Sequence, residues 1–295
     1  MGPLLFLLYI NDIVNVSNFF TTSLFADDTS LVCSGNNVND LIAQANLELE
    51  NIVEWLACNK LSLNVNKSKY MVFCKRKLIN INDLLIDGNT IEMVKYFKFL
   101  GVVIDDKLCW KQHISFIKKK ISRGIGIICK ARQVLNKTSL INLYYSFVYP
   151  YICYGIEVWG MAYNSNILPL TTLQKKIVRI ITCSKPYTST DPIFLSLGIL
   201  KIQQIYIVKV QTYMYNFVNG KLPDFFNDMF TLNNSIHRHG TRQSNKLHLP
   251  RCRTDLSLTF FKYVSVKQFN DLCTKIDYTK KCLKKLLLFF LVNHV

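Results

Sequence analysis

The sequence predicts an α+β protein: an antiparallel sheet with packed helices in the first third, then a mostly helical remainder. Three observations lead there. Short apolar runs interrupted by turn signals, at Asp27-Asp28 and Asp87-Gly88, fall before residue 106 and read as strands. Strand, helix and strand in succession then place a helix against a sheet. From Lys107 to Lys137 the character changes, with nine Lys or Arg, no acid, and Ile at helical spacing. The expected regions are 1–106, 107–149 and 150–295.

Leu4 to Val16 is apolar almost all round, which predicts a helix buried in a larger core. An element of that kind seldom opens a natural domain, so the chain reads as the rear part of something longer. Ser23 to Val32 follows, two short apolar strands joined by a tight turn that carries Asp27 and Asp28. Val38, Leu41, Ile42, Ala45, Leu49, Ile52, Val53 and Leu56 form the stripe of an amphipathic helix after the turn-rich Ser34-Gly35-Asn36-Asn37. Leu61–Leu63, Tyr70–Cys74 and Tyr96–Ile104 read as strands, and Asp87-Gly88 as a hairpin turn. Ile114, Ile117, Ile121, Ile125 and Ile128 predict a helix with one buried and one strongly basic face. Further helices are expected at Ser139–Tyr149, Leu168–Cys183 and Ile202–Val218, with breaks at Pro150, Pro186 and Pro223.

The carboxylate turn is the chemically informative stretch. Neighbouring side chains on a strand point to opposite faces, whereas at a hairpin apex both can address one small volume. Two carboxylates there, with a third from elsewhere, suit a pair of Mg²⁺ ions in phosphoryl or nucleotidyl transfer. Close apolar flanks distinguish this pair, since an unpaired charge among them is costly. Asp105-Asp106, followed by Lys107, reads instead as a solvated turn.

The totals narrow the partner. Lys and Arg number 36 against 19 Asp and Glu, a net +17 that favours a polyanion. With many aromatics, nucleic acid is a better match than membrane. The apolar opening lacks a basic leader, and the tail from Leu286 to Val292 is far short of the roughly 20 residues a membrane span requires. The ten cysteines show no Cys-x-x-Cys spacing, which argues for reduced thiols inside the cell, in nucleus or cytoplasm. His237-Arg238-His239 lies in a basic loop, Ser235–Thr254, with no partner set at zinc-finger spacing.

Several segments together resemble a known family. Gly2-Pro3-Leu4 through Asn11-Asp12, then Phe25-Ala26-Asp27-Asp28, are similar to the active-site region of reverse transcriptases from non-LTR (LINE-type) retrotransposons, especially the jockey type. Trp55 with Asn59-Lys60-Leu61-Ser62-Leu63-Asn64 and Lys67-Ser68 looks like the family's next motif. Phe99-Leu100-Gly101-Val102 resembles its primer grip, and Trp110 with His113-Ile114 the start of its thumb.

The resemblance implies a partial polymerase palm followed by a helical thumb and a C-terminal helical region. It implies Asp27 and Asp28 as catalytic and metal-binding residues for two Mg²⁺ (or Mn²⁺) ions, and Lys67 as a general acid or charge stabiliser at the leaving group. Phe99, Leu100 and Gly101 would bind the primer, and Lys111, Lys118, Lys119, Lys120 and Arg123 the backbone of the template–primer duplex. The partners implied are an RNA template, a DNA primer and deoxynucleoside triphosphates. One metal-binding Asp of the family lies upstream of Gly2-Pro3-Leu4, so the chain alone is expected to be inactive. The rival reading is a non-catalytic nucleic-acid-binding remnant. A metal-dependent phosphodiesterase of another kind would need His or more acids beside the turn.

Overall fold

The computed structural model describes residues 2–74, 80–236, 243–244 and 246–272. The expected basic loop falls partly outside them: His237, Arg238, His239 and Arg242 are not among the described residues, nor is the tail from Leu286 to Val292. The chain divides into two compact units. The first is 1–98 with 105–108, and the second is 99–104 with 109–295.

The first unit opens with helix α1 (Gly2–Ile10), which passes into a 3-10 turn at Asn11–Asn15. The expectation of one buried helix from Leu4 to Val16 is corrected in both respects. Only Ile10 and Ile13 are buried, while Leu4, Leu5, Leu7 and Leu8 are exposed. Uniform apolarity gives α1 no preferred face, and just one side of it meets this unit's core.

Strands β1 (Thr21–Phe25) and β2 (Asp28–Val32) form an antiparallel hairpin with Leu24 opposite Thr29 and Phe25 opposite Asp28. Helix α2 (Val38–Cys58) follows the expected stripe, burying Ile42, Ala45, Leu49, Ile52 and Leu56. The Asn37 side chain caps it by accepting from the Asn39 N–H at 3.0 Å. Leu49, Ile52 and Leu56 join Ile10, Ile13, Ile86 and Ile91 in a small core, on which Leu24 and Leu31 of the hairpin also rest.

Leu61–Leu63 is not a strand. The chain turns through a 3-10 helix at Val65–Lys67, and only β3 (Lys69–Tyr70) survives of the expected run to Cys74. β4 (Leu85–Ile86) and β5 (Asn89–Thr90) flank the expected turn, with Asp87 and Gly88 both at positive φ. β6 (Glu92–Met93) pairs in parallel with β3, supported by a Lys69–Glu92 ion pair. Tyr96–Ile104 is two strands, β7 (Tyr96–Phe99) and β8 (Val102–Asp105), because Leu100 and Gly101 both turn into the left-handed region. Asp105, expected to be solvated, is buried, its carboxylate accepting from the Lys107 N–H at 3.2 Å.

The second unit is helical. α3 (Lys111–Ala131) buries Ile114, Ile117, Ile121, Ile125 and Ile128, as its stripe predicts. Each such side chain contributes about 1.5–3 kcal/mol when fully buried. α4 (Lys137–Phe147) begins at Asn136, whose side chain accepts from the Ser139 N–H at 2.9 Å. Pro150 does not end the helical run; it stands in the first turn of α5 (Tyr149–Cys153), where its missing N–H costs no bond. α6 (Ile156–Trp159), α7 (Asn164–Ile181), α8 (Asp191–Leu197) and α9 (Ile202–Val218) follow. α7 starts before the expected Leu168 and takes Pro169 into its second turn. Three helices, α10 (Asn233–Ile236), α11 (Asp255–Leu258) and α12 (Phe261–Leu272), complete the described chain.

One core runs through this unit, from Ile114 on α3 through Trp159 and Ile177 to Val266 and Phe269 on α12. Gln174 ties it together from inside. Its amide donates to the Tyr144 hydroxyl at 3.0 Å and to the Leu200 carbonyl at 2.8 Å, while its oxygen accepts from the Ile202 N–H at 3.1 Å. Among the described residues no single helix is long and apolar enough to cross a membrane.

Candidate functional site

The β1–β2 turn has two residues, Ala26 and Asp27, with Asp28 the first residue of the returning strand. Ala26 stands at φ 53°, a left-handed conformation that costs an L-residue about 1–2 kcal/mol. Backbone strain of that kind collects at functional turns. Thr22, Leu24, Thr29 and Leu31 share one face by cross-strand register, and Leu24 and Leu31 take it onto the core. Asp28 lies on the other face with Ser23, Phe25 and Val32, and Asp27 is at the apex.

Both carboxylates are exposed, as are Phe25 and Val32. The expected apolar enclosure is therefore corrected: the alternation that half-buries Leu24 and Leu31 turns Phe25 and Val32 outward. Adjacent carboxylates suit a hard divalent cation in kind. In number they fall short, because no group of three or more His, Cys, Asp or Glu side chains converges among the described residues. These residues do not complete a two-metal centre by themselves.

Lys67 stands exposed at the end of the Val65–Lys67 turn, where its N–H donates to the Asn64 side chain at 3.3 Å. A polar cavity of about 780 Å³ lies beside it, lined by Asn64, Asn66, Ser68, Asn89 and Thr90 among others. Lys67 is not part of that lining, and among the described residues no ion pair joins it to Asp27 or Asp28.

Phe99, Leu100 and Gly101 sit at the tip of the β7–β8 hairpin, half-buried. The tip is held within the second unit. The Tyr154 hydroxyl donates to the Leu100 carbonyl at 2.6 Å, and a Cβ added at Gly101 would meet the Tyr154 ring at 3.1 Å. The Val103 N–H donates to His113 Nδ1 at 3.2 Å, which leaves the ring proton on Nε2. His113 is buried, and burial lowers its pKa to about 4.

On α3, Lys111, Lys118, Lys119 and Arg123 are exposed, and Lys120 is half-buried over the Phe116 ring at 5.7 Å. The sequence marks His113 only as part of the thumb-like segment and does not single out Tyr154. Position 113 is four residues before Ile117, so helical spacing alone marks it as inward-facing. Tyr154 carries no local signal, since its partner is 54 residues away.

Residues 1–104 match the family described as reverse transcriptase (RNA-dependent DNA polymerase). The RNA-directed DNA polymerase from mobile element jockey of Drosophila melanogaster is 26% identical over 183 residues, 60% of this chain and 20% of that protein. The jockey polymerase of Drosophila funebris is 24% identical over 213 residues, 68% of this chain and 23% of its own length. The Pol polyprotein of retrotransposable element R1 2 from Nasonia vitripennis is 24% identical over 145 residues, 46% of this chain and 34% of its own. The chain thus spans about a fifth of the length of the jockey relatives it matches. No solved structure matches it significantly. Residues 1–104 thus match the reverse transcriptase family, and the similar proteins include RNA-directed DNA polymerases of mobile elements.

Proposed function

We propose that this chain is a palm-and-thumb portion of a non-LTR retrotransposon reverse transcriptase, with 1–106 as partial palm, 107–149 as thumb and 150–295 as the region that follows. The observation that carries the reading is the β1–β2 turn within the matched residues: a strained two-residue turn with Asp27 at its apex and Asp28 opening the returning strand, both exposed to solvent. In this reading the two carboxylates contribute to the holding of Mg²⁺ or Mn²⁺, which supply charge stabilisation when nucleotides are added to a primer 3′-OH. Lys67 acts at the leaving group, and the Phe99–Gly101 tip meets the primer strand. The exposed basic face of α3 tracks the phosphates of an RNA template–DNA primer duplex, giving affinity without sequence readout. The work is done inside the cell.

A second reading has an observation of its own. The basic face is present in full, whereas the carboxylate set among the described residues stops at two. A non-catalytic nucleic-acid-binding role needs only the former. Two measurements on residues 1–295 separate the readings from a chain with no nucleic-acid role. Binding to a primer–template duplex should weaken steeply with salt, and replacing Lys118, Lys119 and Arg123 by Gln should lower the log–log slope by about 2–3. Primer extension should be absent for residues 1–295, because the converging carboxylates among the described residues stop at two, and robust Mg²⁺-dependent synthesis would show that these suffice. A slope that the three substitutions leave unchanged would remove α3 as the duplex-binding face.

A further inference from the structure

Four consecutive residues at the tip of the β7–β8 hairpin each meet the helical unit, at two places in particular. Leu100 accepts from the Tyr154 hydroxyl at 2.6 Å. Gly101, at φ 86°, lies so close to the Tyr154 ring that a Cβ would sit 3.1 Å from it. Val102 reaches Gly155, where an added Cβ would come within 3.1 Å of its side chain. Val103 donates to His113 Nδ1 at 3.2 Å. The two anchors are themselves joined by Trp159, which is fully buried. Its indole N–H donates to the Tyr154 carbonyl at 3.0 Å, and its ring meets His113 edge-on at 5.6 Å between centroids.

The geometry points to Tyr154 and His113 as positioning residues that clamp the Leu100–Val103 tip to the helical unit. This deepens the proposed function and rests on it, since the tip is where that reading seats the primer strand. Leu100 adopts φ 44°, a conformation that a branched side chain takes only when its surroundings impose it. A hydroxyl on its carbonyl and a ring under Gly101 supply that imposition. Neither Tyr154 nor His113 is asked to touch the reacting atoms. Their effect is to hold the tip's backbone in one arrangement while a strand is bound.

The test uses residues 1–295 with Tyr154→Phe, which removes one hydroxyl and keeps the ring. Hydrogen exchange at the amides of residues 100–103 should speed up at least severalfold, with protection in α3 and α7 unchanged. Affinity for a primer–template duplex should fall about three- to tenfold, while affinity for inorganic polyphosphate, which reads charge alone, should not change. Exchange at 100–103 identical to wild type would overturn the clamp. Faster exchange with unaltered duplex affinity would overturn the positioning role. If the wild-type chain bound no duplex, the proposed function would fall and the positioning role with it, and the exchange result would still decide whether the clamp exists. Should Tyr154→Phe lower protection throughout the unit, His113→Asn takes its place in the same measurements, read by the same criteria at Val103.

Discussion

The two units solve the problem of holding a turn in opposite ways. The first has a small core, strands of two to five residues, and a strained turn whose carboxylates stand in solvent. The second has a continuous helical core and reaches out from it to fix the Leu100–Gly101 turn and the strand that leaves it. One unit therefore exposes its turn, and the other anchors one. Exposed turns keep their shape through short-range register, so their stability cost is local. An anchored turn inherits the rigidity of the unit behind it.

The difference between the units should show most strongly in the second core. Ile121→Ala empties a side-chain site that is 1% exposed and should destabilise the helical unit by about 3–5 kcal/mol, measured by urea unfolding. A loss confined to a few tenths would mean that the core is looser than its burial implies.

His113 gives the next largest effect and a sign. Its folded pKa, about 4, lies below the ordinary 6.5, so the unfolded chain takes up the proton first. Stability is then full above pH 6.5 and falls as pH drops toward 4, by roughly 3 kcal/mol at most. Unfolding followed between pH 7 and 4 should show that slope, and His113→Asn should flatten it.

Gln174→Leu comes third. It strips the partners from the Leu200 carbonyl and the Ile202 N–H at the start of α9, which should cost about 2–3 kcal/mol by urea unfolding. The first unit should respond least. Ala26→Gly relieves a positive φ at the price of chain entropy, a net gain of about 0.5–1 kcal/mol. A destabilised Ala26→Gly variant would show that the turn's strain has been misjudged.

The legibility of the sequence follows the same division. Ile spacing on α3 and the apolar stripe of α2 announced both helices, because a long period repeated many times leaves little ambiguity. The Asp27-Asp28 hairpin was equally readable from its turn and its alternation. Strands of two residues, such as Lys69–Tyr70, offer no period to detect, and Leu61–Leu63 shows that an apolar alternation can belong to no strand at all. Leu100 concealed the β7–β8 turn, since a branched residue at positive φ is imposed from outside; its cause is Tyr154, far along the chain. Asp105 was misread for a related reason: a two-residue charge pair says nothing about which strand face it occupies.

In the proposed function the β1–β2 turn is the catalytic turn of a polymerase. The most direct measurement grafts residues 1–104 in place of the matching stretch of the Drosophila melanogaster jockey polymerase and follows Mg²⁺-dependent primer extension on an RNA template. The chimera should extend the primer, and Asp27→Asn within it should lower extension by at least about a hundredfold, while leaving its thermal unfolding within about 0.5 kcal/mol of the parent chimera, as befits an exposed side chain. Extension that survives Asp27→Asn undiminished would contradict the assignment.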